Sequence, residues 1–142
     1  MLGGVRIPSE MGLEGHSDAD VLAHAITDAL LGAAALGDIG QHFPDTEARW
    51  AGADSLQFLR HAGQLLASAG YSIVNVDSTV LLERPKLKDY RSAIRERLAG
   101  TLGLAVERVS VKFKTSEKLG PVGEGRSAEA HAVATVCSER PI

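Results

Sequence analysis

The chain is poor in several things that would each have named a class of protein. One cysteine, Cys137, stands in 142 residues, so no intrachain disulfide framework is available and a reducing compartment is expected. Aromatic residues make up only 4%, with Trp50 the one tryptophan, which argues against stacking platforms for nucleic-acid bases. The net charge of −3 supplies no basic field to hold a polyanion, so no nucleic-acid partner is expected and any anionic ligand must be gripped by local groups. No apolar run reaches membrane-spanning length, and Ala29–Leu36 is short and Ala-rich. The first residues lack the charged, apolar and cleavage regions of a secretory signal. The expectation is a cytoplasmic protein with no membrane partner.

What is present suits a globular fold. Apolar residues reach 44% and charged residues 23%, in a chain the length of one ordinary domain, so residues 1–142 are read as a single domain. The opening MLGGVRIPSE reads as the end of a strand or hairpin. Ser17 is a good N-cap, Asp20 stands three residues on, and Gly37 offers a C′ stop, predicting a first helix. Val21, Leu22, Ala25, Ile26, Ala29, Leu30 and Leu31 cover most of its circumference, as in a buried helix. The Gly- and Pro-bearing stretch 38–46 reads as a loop.

A second helix is predicted from Asp54-Ser55 to Gly70, with Leu56, Leu59, Leu66 and Ala69 inward. Residues 71–82 read as a strand, ended by Pro85. Leu87, Tyr90, Ile94, Leu98 and Thr101 recur at helical spacing. Residues 108–114 alternate, with Val109, Val111 and Phe113 on one face. A glycine-rich loop over 120–125 leads to a last strand over 127–137, where an inert buried Cys137 thiol is expected. The predicted fold is α/β (α+β), a two-layer sandwich with a mixed sheet and helices on one face. Along the last strand Ala128, Ala130, Ala132 and Ala134 alternate with Glu129, His131, Val133 and Thr135. Its polar side therefore meets water or another subunit.

Few residue groups stand out as chemistry. Asp20, His24 and Asp28 fall at i, i+4 and i+8 and share one helix face. They are either a functional face, where a carboxylate fixes a histidine tautomer, or a hydrogen-bonded polar seam at a subunit contact. One histidine is too few for a metal site. His16 and Ser17 stand at the mouth of that helix, where free amide donors suit an anion. Asp38 and Asp45 sit beside tight turns suited to sugar hydroxyls or a hard cation, or are ordinary solvated loop groups. Arg84-Pro85-Lys86 and the run Lys112 to Lys118 bring cations, hydroxyls and a carboxylate to strand ends, a mix that suits a nucleotide diphosphate.

Taken together, the block GGVRIPSEMGLEGHSDADVLAHAITDALLGAAALGDIGQHFPDT, followed in order by ERPKL and KTSEKLG, resembles the 2-C-methyl-D-erythritol 2,4-cyclodiphosphate synthase family along essentially the whole chain. The resemblance implies a ferredoxin-like α+β subunit in a homotrimer, with active sites between adjacent subunits. It implies a phosphorus–oxygen lyase that converts 4-CDP-2-C-methyl-D-erythritol 2-phosphate to the 2,4-cyclodiphosphate and CMP, in isoprenoid precursor synthesis. Zinc and a second divalent ion, magnesium or manganese, are implied as cofactors. A cytidylyltransferase fusion or partner also belongs to the family pattern. The alternative reading is a degenerate trimer that binds CDP compounds or isoprenoid diphosphates without turnover.

Carried onto this chain, the resemblance makes His24 a zinc ligand, supported by Asp20, and His16 with Thr115 the transition-state stabilisers. Substrate contacts fall on His16, Ser17, Asp38, Ile39, Gly40, Phe43, Pro44, Asp45, Thr46 and Glu47. They continue along the cytidine segment Leu82, Glu83, Arg84, Pro85, Lys86, Leu87 and Lys88, and on Lys114, Thr115, Ser116 and Glu117, the last facing the second metal. The family opens with a strand bearing an Asp-x-His pair that completes the zinc site. This chain begins at Met1-Leu2-Gly3-Gly4, so the recorded start is read as internal to a longer reading frame. Pro121 and Glu124 stand at or near positions where the family often has Phe and Arg, so an isoprenoid diphosphate in the central cavity is not expected.

Overall fold

A computed structural model describes residues 1–8, 20–44, 54–83, 86–115, 117, 119–123 and 128–139. In chain order these give α1 (Val21–Ala33), α2 (Ile39–His42), α3 (Ser55–Ser68), β1 (Tyr71–Leu81), α4 (Arg91–Leu102), β2 (Val109–Lys114), α5 (Gly120–Gly123) and β3 (Glu129–Ser138), with single 3-10 turns at Lys88–Tyr90 and Val106–Arg108. The sheet order is β2-β1-β3. β1 and β2 run parallel, joined through α4, whereas β1 and β3 run antiparallel. The mixed sheet follows from those connections, because a parallel pair needs a crossover element.

Side-chain alternation decides which face is covered. Val76, Ser78 and Val80 of β1 and Val109 and Val111 of β2 are buried beneath the helices. The inward row of β3 is Ala130, Ala132 and Ala134, and α1 lies directly over this strand. Small side chains there let the helix approach the sheet closely. From above, Leu22, Ile26, Leu30 and Leu31 of α1 join Leu59 and Leu66 of α3 and Ile94 and Leu98 of α4, all with 1% exposure or less. Each such side chain contributes about 1.5–3 kcal/mol by leaving water, so this layer carries the fold. The two-layer α+β sandwich with helices on one face stands as expected.

The other face of the sheet is covered by no described element. Thr79 pairs with Lys112 on one side and His131 on the other, and Asp77 pairs with Ser110 and Val133. Val133 is 71% exposed there. Lys112 Nζ meets Asp77 Oδ2 at 2.9 Å, and the ammonium holds the Asp77 carboxyl below its usual range against the opposing effect of burial. Cys137 is exposed, not buried as expected. It follows Glu129, His131, Val133 and Thr135 at period two, and so falls on the open face.

Several local expectations are also corrected. The N-cap of α1 is Asp20, whose carboxylate accepts the Ala23 N–H at 2.9 Å. Ser17 lies outside the described residues. The helix stops before Gly37, at a Schellman turn in which Leu36 N–H donates to Leu31 O at 2.8 Å and Ala35 N–H to Gly32 O at 3.0 Å. Ala35 occupies the left-handed position, with φ of 54°. Residues 39–42 are helical, not loop, because Asp38 and Gln41 form a reciprocal capping box. Residues 120–123 form a short helical turn where a glycine-rich loop was expected.

Candidate functional site

The candidate residues on the described part of the chain fall into two groups. The first lies where α1, α2 and α3 meet. His24 projects from α1, half-buried, with its Nε2 at 2.9 Å from Ser55 Oγ at the start of α3. Its ring centroid is 6.0 Å from that of Phe58. Asp28, one turn further along α1, accepts the Ile39 N–H at 2.8 Å and so anchors the start of α2. Asp38 caps the same helix by accepting the Gln41 N–H at 2.9 Å. Two carboxylates at one helix N-terminus suit its dipole.

Phe43 is 6% exposed and stacks on Phe58 at 4.8 Å, with His61 edge-on at 5.4 Å. Its side chain belongs to packing, so what it offers a ligand is backbone. Pro44 follows it, half-buried. Ile39 and Gly40 form the first turn of α2, and Gly40 is exposed.

Asp20 takes no part in this group. It is 2% exposed, and its two carboxylate oxygens accept Gly3 N–H at 2.8 Å and Gly4 N–H at 2.7 Å besides capping α1. The three residues that share a face in sequence therefore go to three different partners: Asp20 to the Gly-Gly turn, His24 to Ser55, Asp28 to Ile39. Spacing on a helix reports a common direction, not a common partner.

The second group surrounds a cavity of about 360 Å³ at the carboxyl ends of the parallel pair β1 and β2. Leu82, Leu87 and Phe113 provide apolar wall, while Lys86, Lys88 and Lys114 bring ammonium groups. Leu82 N–H donates to Lys114 O at 3.0 Å and ties the two strand ends together. Arg91 and Thr115 complete the lining, with the Arg91 guanidinium 5.2 Å from the Phe113 ring centroid. Glu83 lies half-buried beside Leu82. Past the cavity, Thr115 Oγ1 accepts the Glu117 N–H at 3.3 Å, and Glu117 adopts a left-handed φ of 54°. A ligand crevice outside the carboxyl ends of parallel strands is the usual consequence of such a sheet.

His16, Ser17, Asp45, Thr46, Glu47, Arg84, Pro85 and Ser116 lie outside the described residues. Among the described residues no group of three or more His, Cys, Asp or Glu side chains could hold a metal ion. His24 supplies a single imidazole, whereas catalytic zinc takes three protein ligands. The described donor set alone does not fit zinc.

Sequence reasoning missed Ser55, Phe58 and Arg91. Ser55 had no signal beyond its place after the N-cap Asp54. Arg91 stands four residues after Leu87, on the same side of the chain, and that spacing was the available clue.

Fold and cavity together define a class: a two-layer α+β chain with a cavity at the ends of its parallel strands, where apolar walls stand beside lysine ammonium groups. The chain belongs to the YgbB family, which matches residues 1–137. It is 74% identical over 136 residues to a 2-C-methyl-D-erythritol 2,4-cyclodiphosphate synthase of Solibacter usitatus (strain Ellin6076), covering 96% of this chain and 86% of that protein. Among solved structures it is similar to the bifunctional IspDF from Campylobacter jejuni, with a TM-score of 0.90 and 41% identity over 97% of this chain and 37% of that one. It is also similar to a 2C-methyl-D-erythritol-2,4-cyclodiphosphate synthase in a CDP-bound form, with a TM-score of 0.88 and 42% identity over 96% of this chain and 89% of that one. Among the described residues no helix is long and apolar enough to cross a membrane.

Proposed function

We propose that this chain converts 4-CDP-2-C-methyl-D-erythritol 2-phosphate to 2-C-methyl-D-erythritol 2,4-cyclodiphosphate and CMP, as a phosphorus–oxygen lyase of non-mevalonate isoprenoid precursor synthesis. The observation that carries this reading is identity of 74% along 96% of the chain to a synthase of that name. An oxygen of the 2-phosphate attacks the β-phosphorus of the CDP group. The bond from that phosphorus to the bridging oxygen breaks, and CMP leaves with both bonding electrons. No water is consumed and no oxidant is needed, so the protein's task is to hold two repelling phosphates in line.

The cavity at the strand ends suits the CDP part of that substrate. Leu82, Leu87 and Phe113 accept the flat apolar faces of a pyrimidine, and Lys86, Lys88 and Lys114 balance phosphate charge. Thr115 stands at its edge. Because its oxygen already accepts from Glu117, its hydroxyl proton is the part left to donate to a phosphate oxygen. His16 is expected to act with it. Asp38 uses one carboxylate oxygen to cap α2 and has a second for a hydroxyl of the methylerythritol part. The neighbouring residues Ile39, Gly40, Phe43, Pro44, Asp45, Thr46 and Glu47 are expected to close around that part.

We assign the polar, open face of the sheet to contact between copies of the chain, as a homotrimer with each site shared by two subunits. A face carrying an ion pair beside Val133 at 71% exposure supports this. The family reading brings divalent-metal dependence. Zinc at His24, and magnesium or manganese near Glu117, are our expectations within it, with the remaining ligands from outside the described residues. The whole chain is read as one domain working in the cytoplasm. A cytidylyltransferase as partner or fused neighbour fits the bifunctional relative, of which this chain spans 37%.

The test is release of CMP from the CDP-linked substrate by the full chain supplied with divalent metal. Thr115→Ala is expected to slow release on the order of 100-fold, the usual effect of losing one donor at a developing oxyanion. Tight binding of CDP with no CMP release would favour a binding protein without turnover.

A further inference from the structure

The short helix α2 is clamped to α1 at both ends, and the second clamp is a histidine side chain. A helix of four residues is far below the roughly 12–15 that hold together alone in water, so other bonds must keep Ile39–His42 in shape. At its start, Asp28 of α1 accepts the Ile39 N–H at 2.8 Å. Asp38 accepts the Gln41 N–H at 2.9 Å, and Gln41 Oε1 accepts the Asp38 N–H at 3.1 Å. At its end, His42 Nε2 lies 2.6 Å from the carbonyl oxygen of Leu36. Leu36 is itself held, because its N–H donates to Leu31 O at 2.8 Å in the turn that ends α1.

The direction of the histidine bond is fixed by its acceptor. A carbonyl carries no proton, so the imidazole must donate from Nε2 whatever its charge. The bond closes residues 36–42 into a loop whose exposed members include Asp38 and Gly40, with Ile39 half-buried between them. His42 is half-buried too, and its ring stands 6.2 Å from that of Phe43 between centroids. None of these residues lines the cavity at the ends of β1 and β2.

We propose that His42 is a positioning residue for the sugar end of the substrate. By donating from Nε2 to Leu36 O, it holds Asp38, Ile39 and Gly40 in the arrangement that receives the methylerythritol part. This rests on the proposed function in assigning those three residues to that part. The imidazole acts through the loop, and the cavity that takes CDP is left alone. Because the attacking 2-phosphate is carried on the sugar, a loosened sugar end also misaligns the attack.

The test compares His42→Leu, which has no donor, with His42→Gln, which sets an amide N–H near the place of Nε2. Each full chain is supplied with divalent metal. Two quantities are read: kcat/KM for CMP release from the CDP-linked substrate, and Kd for CDP alone by titration calorimetry. His42→Leu is expected to lower kcat/KM about fivefold, the factor associated with one ordinary hydrogen bond, and to leave Kd for CDP unchanged. His42→Gln is expected to restore most of the loss. A parallel loss of CDP affinity would mean that His42 serves the fold as a whole, and overturns the proposal. So does an unchanged kcat/KM, or a His42→Gln chain as impaired as His42→Leu. Should His42→Leu fail to fold, wild type with 15N-labelled histidine decides, by long-range 1H–15N correlation at a pH where the imidazole is neutral. The Nε2–H pattern is expected for His42, its signals identified by their loss in His42→Gln, and an Nδ1–H pattern overturns the proposal. If wild type binds the substrate without releasing CMP, the function reading fails. The present proposal is then read from Kd for the substrate against Kd for CDP, with the same expected split.

Discussion

The carboxylate of Asp20 accepts the backbone N–H of Gly3 at 2.8 Å, bridging 17 positions of sequence to fasten the N-terminal turn onto α1. Gly4 donates to the second oxygen at 2.7 Å, and Ala23 to the first at 2.9 Å. One buried anion thus satisfies three amides, each a charge-assisted bond. The turn needs glycine, since φ is 57° at Gly3 and 78° at Gly4. A Cβ at Gly3 would stand 2.5 Å from Ile94 Cγ2, and one at Gly4 2.6 Å from Leu56 Cδ1. Asp20→Ala is expected to cost about 3 kcal/mol, and Asp20→Asn less, because one oxygen survives. Gly4→Ala should cost more than about 1 kcal/mol. Urea denaturation of the three variants checks this, and losses below about 1 kcal/mol for Asp20→Ala would show that the turn is not held this way.

At the other end of α1, Ala35 takes a backbone conformation that favours glycine, with φ of 54°. Its Schellman bonds fix that geometry, so the strain cannot relax without losing the helix stop. Ala35→Gly is expected to stabilise the chain by about 0.5–1 kcal/mol, after the greater freedom of glycine in the unfolded state is subtracted. Thermal unfolding measures it. A lower midpoint would contradict the strain.

Asp77 and Lys112 make the ion pair of the open sheet face at 2.9 Å, with side chains 42% and 49% exposed respectively. The Lys112 ammonium holds the Asp77 carboxyl below its ordinary value. A depressed carboxylate stabilises above its unfolded pKa and loses that contribution as pH falls through the folded value. Exposure limits the pair to about 0.2–1 kcal/mol. Asp77→Asn should therefore lower stability slightly at neutral pH and low salt, with the difference shrinking below about pH 4 and at high salt. A difference that persists in acid would rule the pair out as its source.

Much of the fold was legible because alternation and helical spacing report burial directly. Val109, Val111 and the exposed Lys112 and Lys114 fell on the faces their period-two pattern required, and Leu56, Leu59 and Leu66 turned inward on α3. Capping was less legible. Ser17 is a good start signal and Gly37 a good stop signal by residue type, yet Asp20 and Ala35 hold the positions: Asp caps as well as Ser and is also bonded to Gly3, while the Schellman turn at Ala35 outweighs the preference for glycine. Cys137 was misplaced by treating an apolar strand as buried on both faces. The site was legible as segments, through the resemblance. Residue spacing could not show that Asp20 and His24 part company, since a helix face does not say what lies opposite.

The central claim is intramolecular ring closure at the β-phosphorus, and 31P NMR of the reaction tests it most directly. With the CDP-linked 2-phosphate substrate, divalent metal and the full chain, the account predicts two mutually coupled phosphorus signals of a cyclic diphosphate, growing in step with one equivalent of CMP. CMP accompanied by an open-chain bisphosphate would mean hydrolysis instead of cyclisation. An unchanged substrate spectrum in the presence of a folded, CDP-binding chain would contradict the account outright.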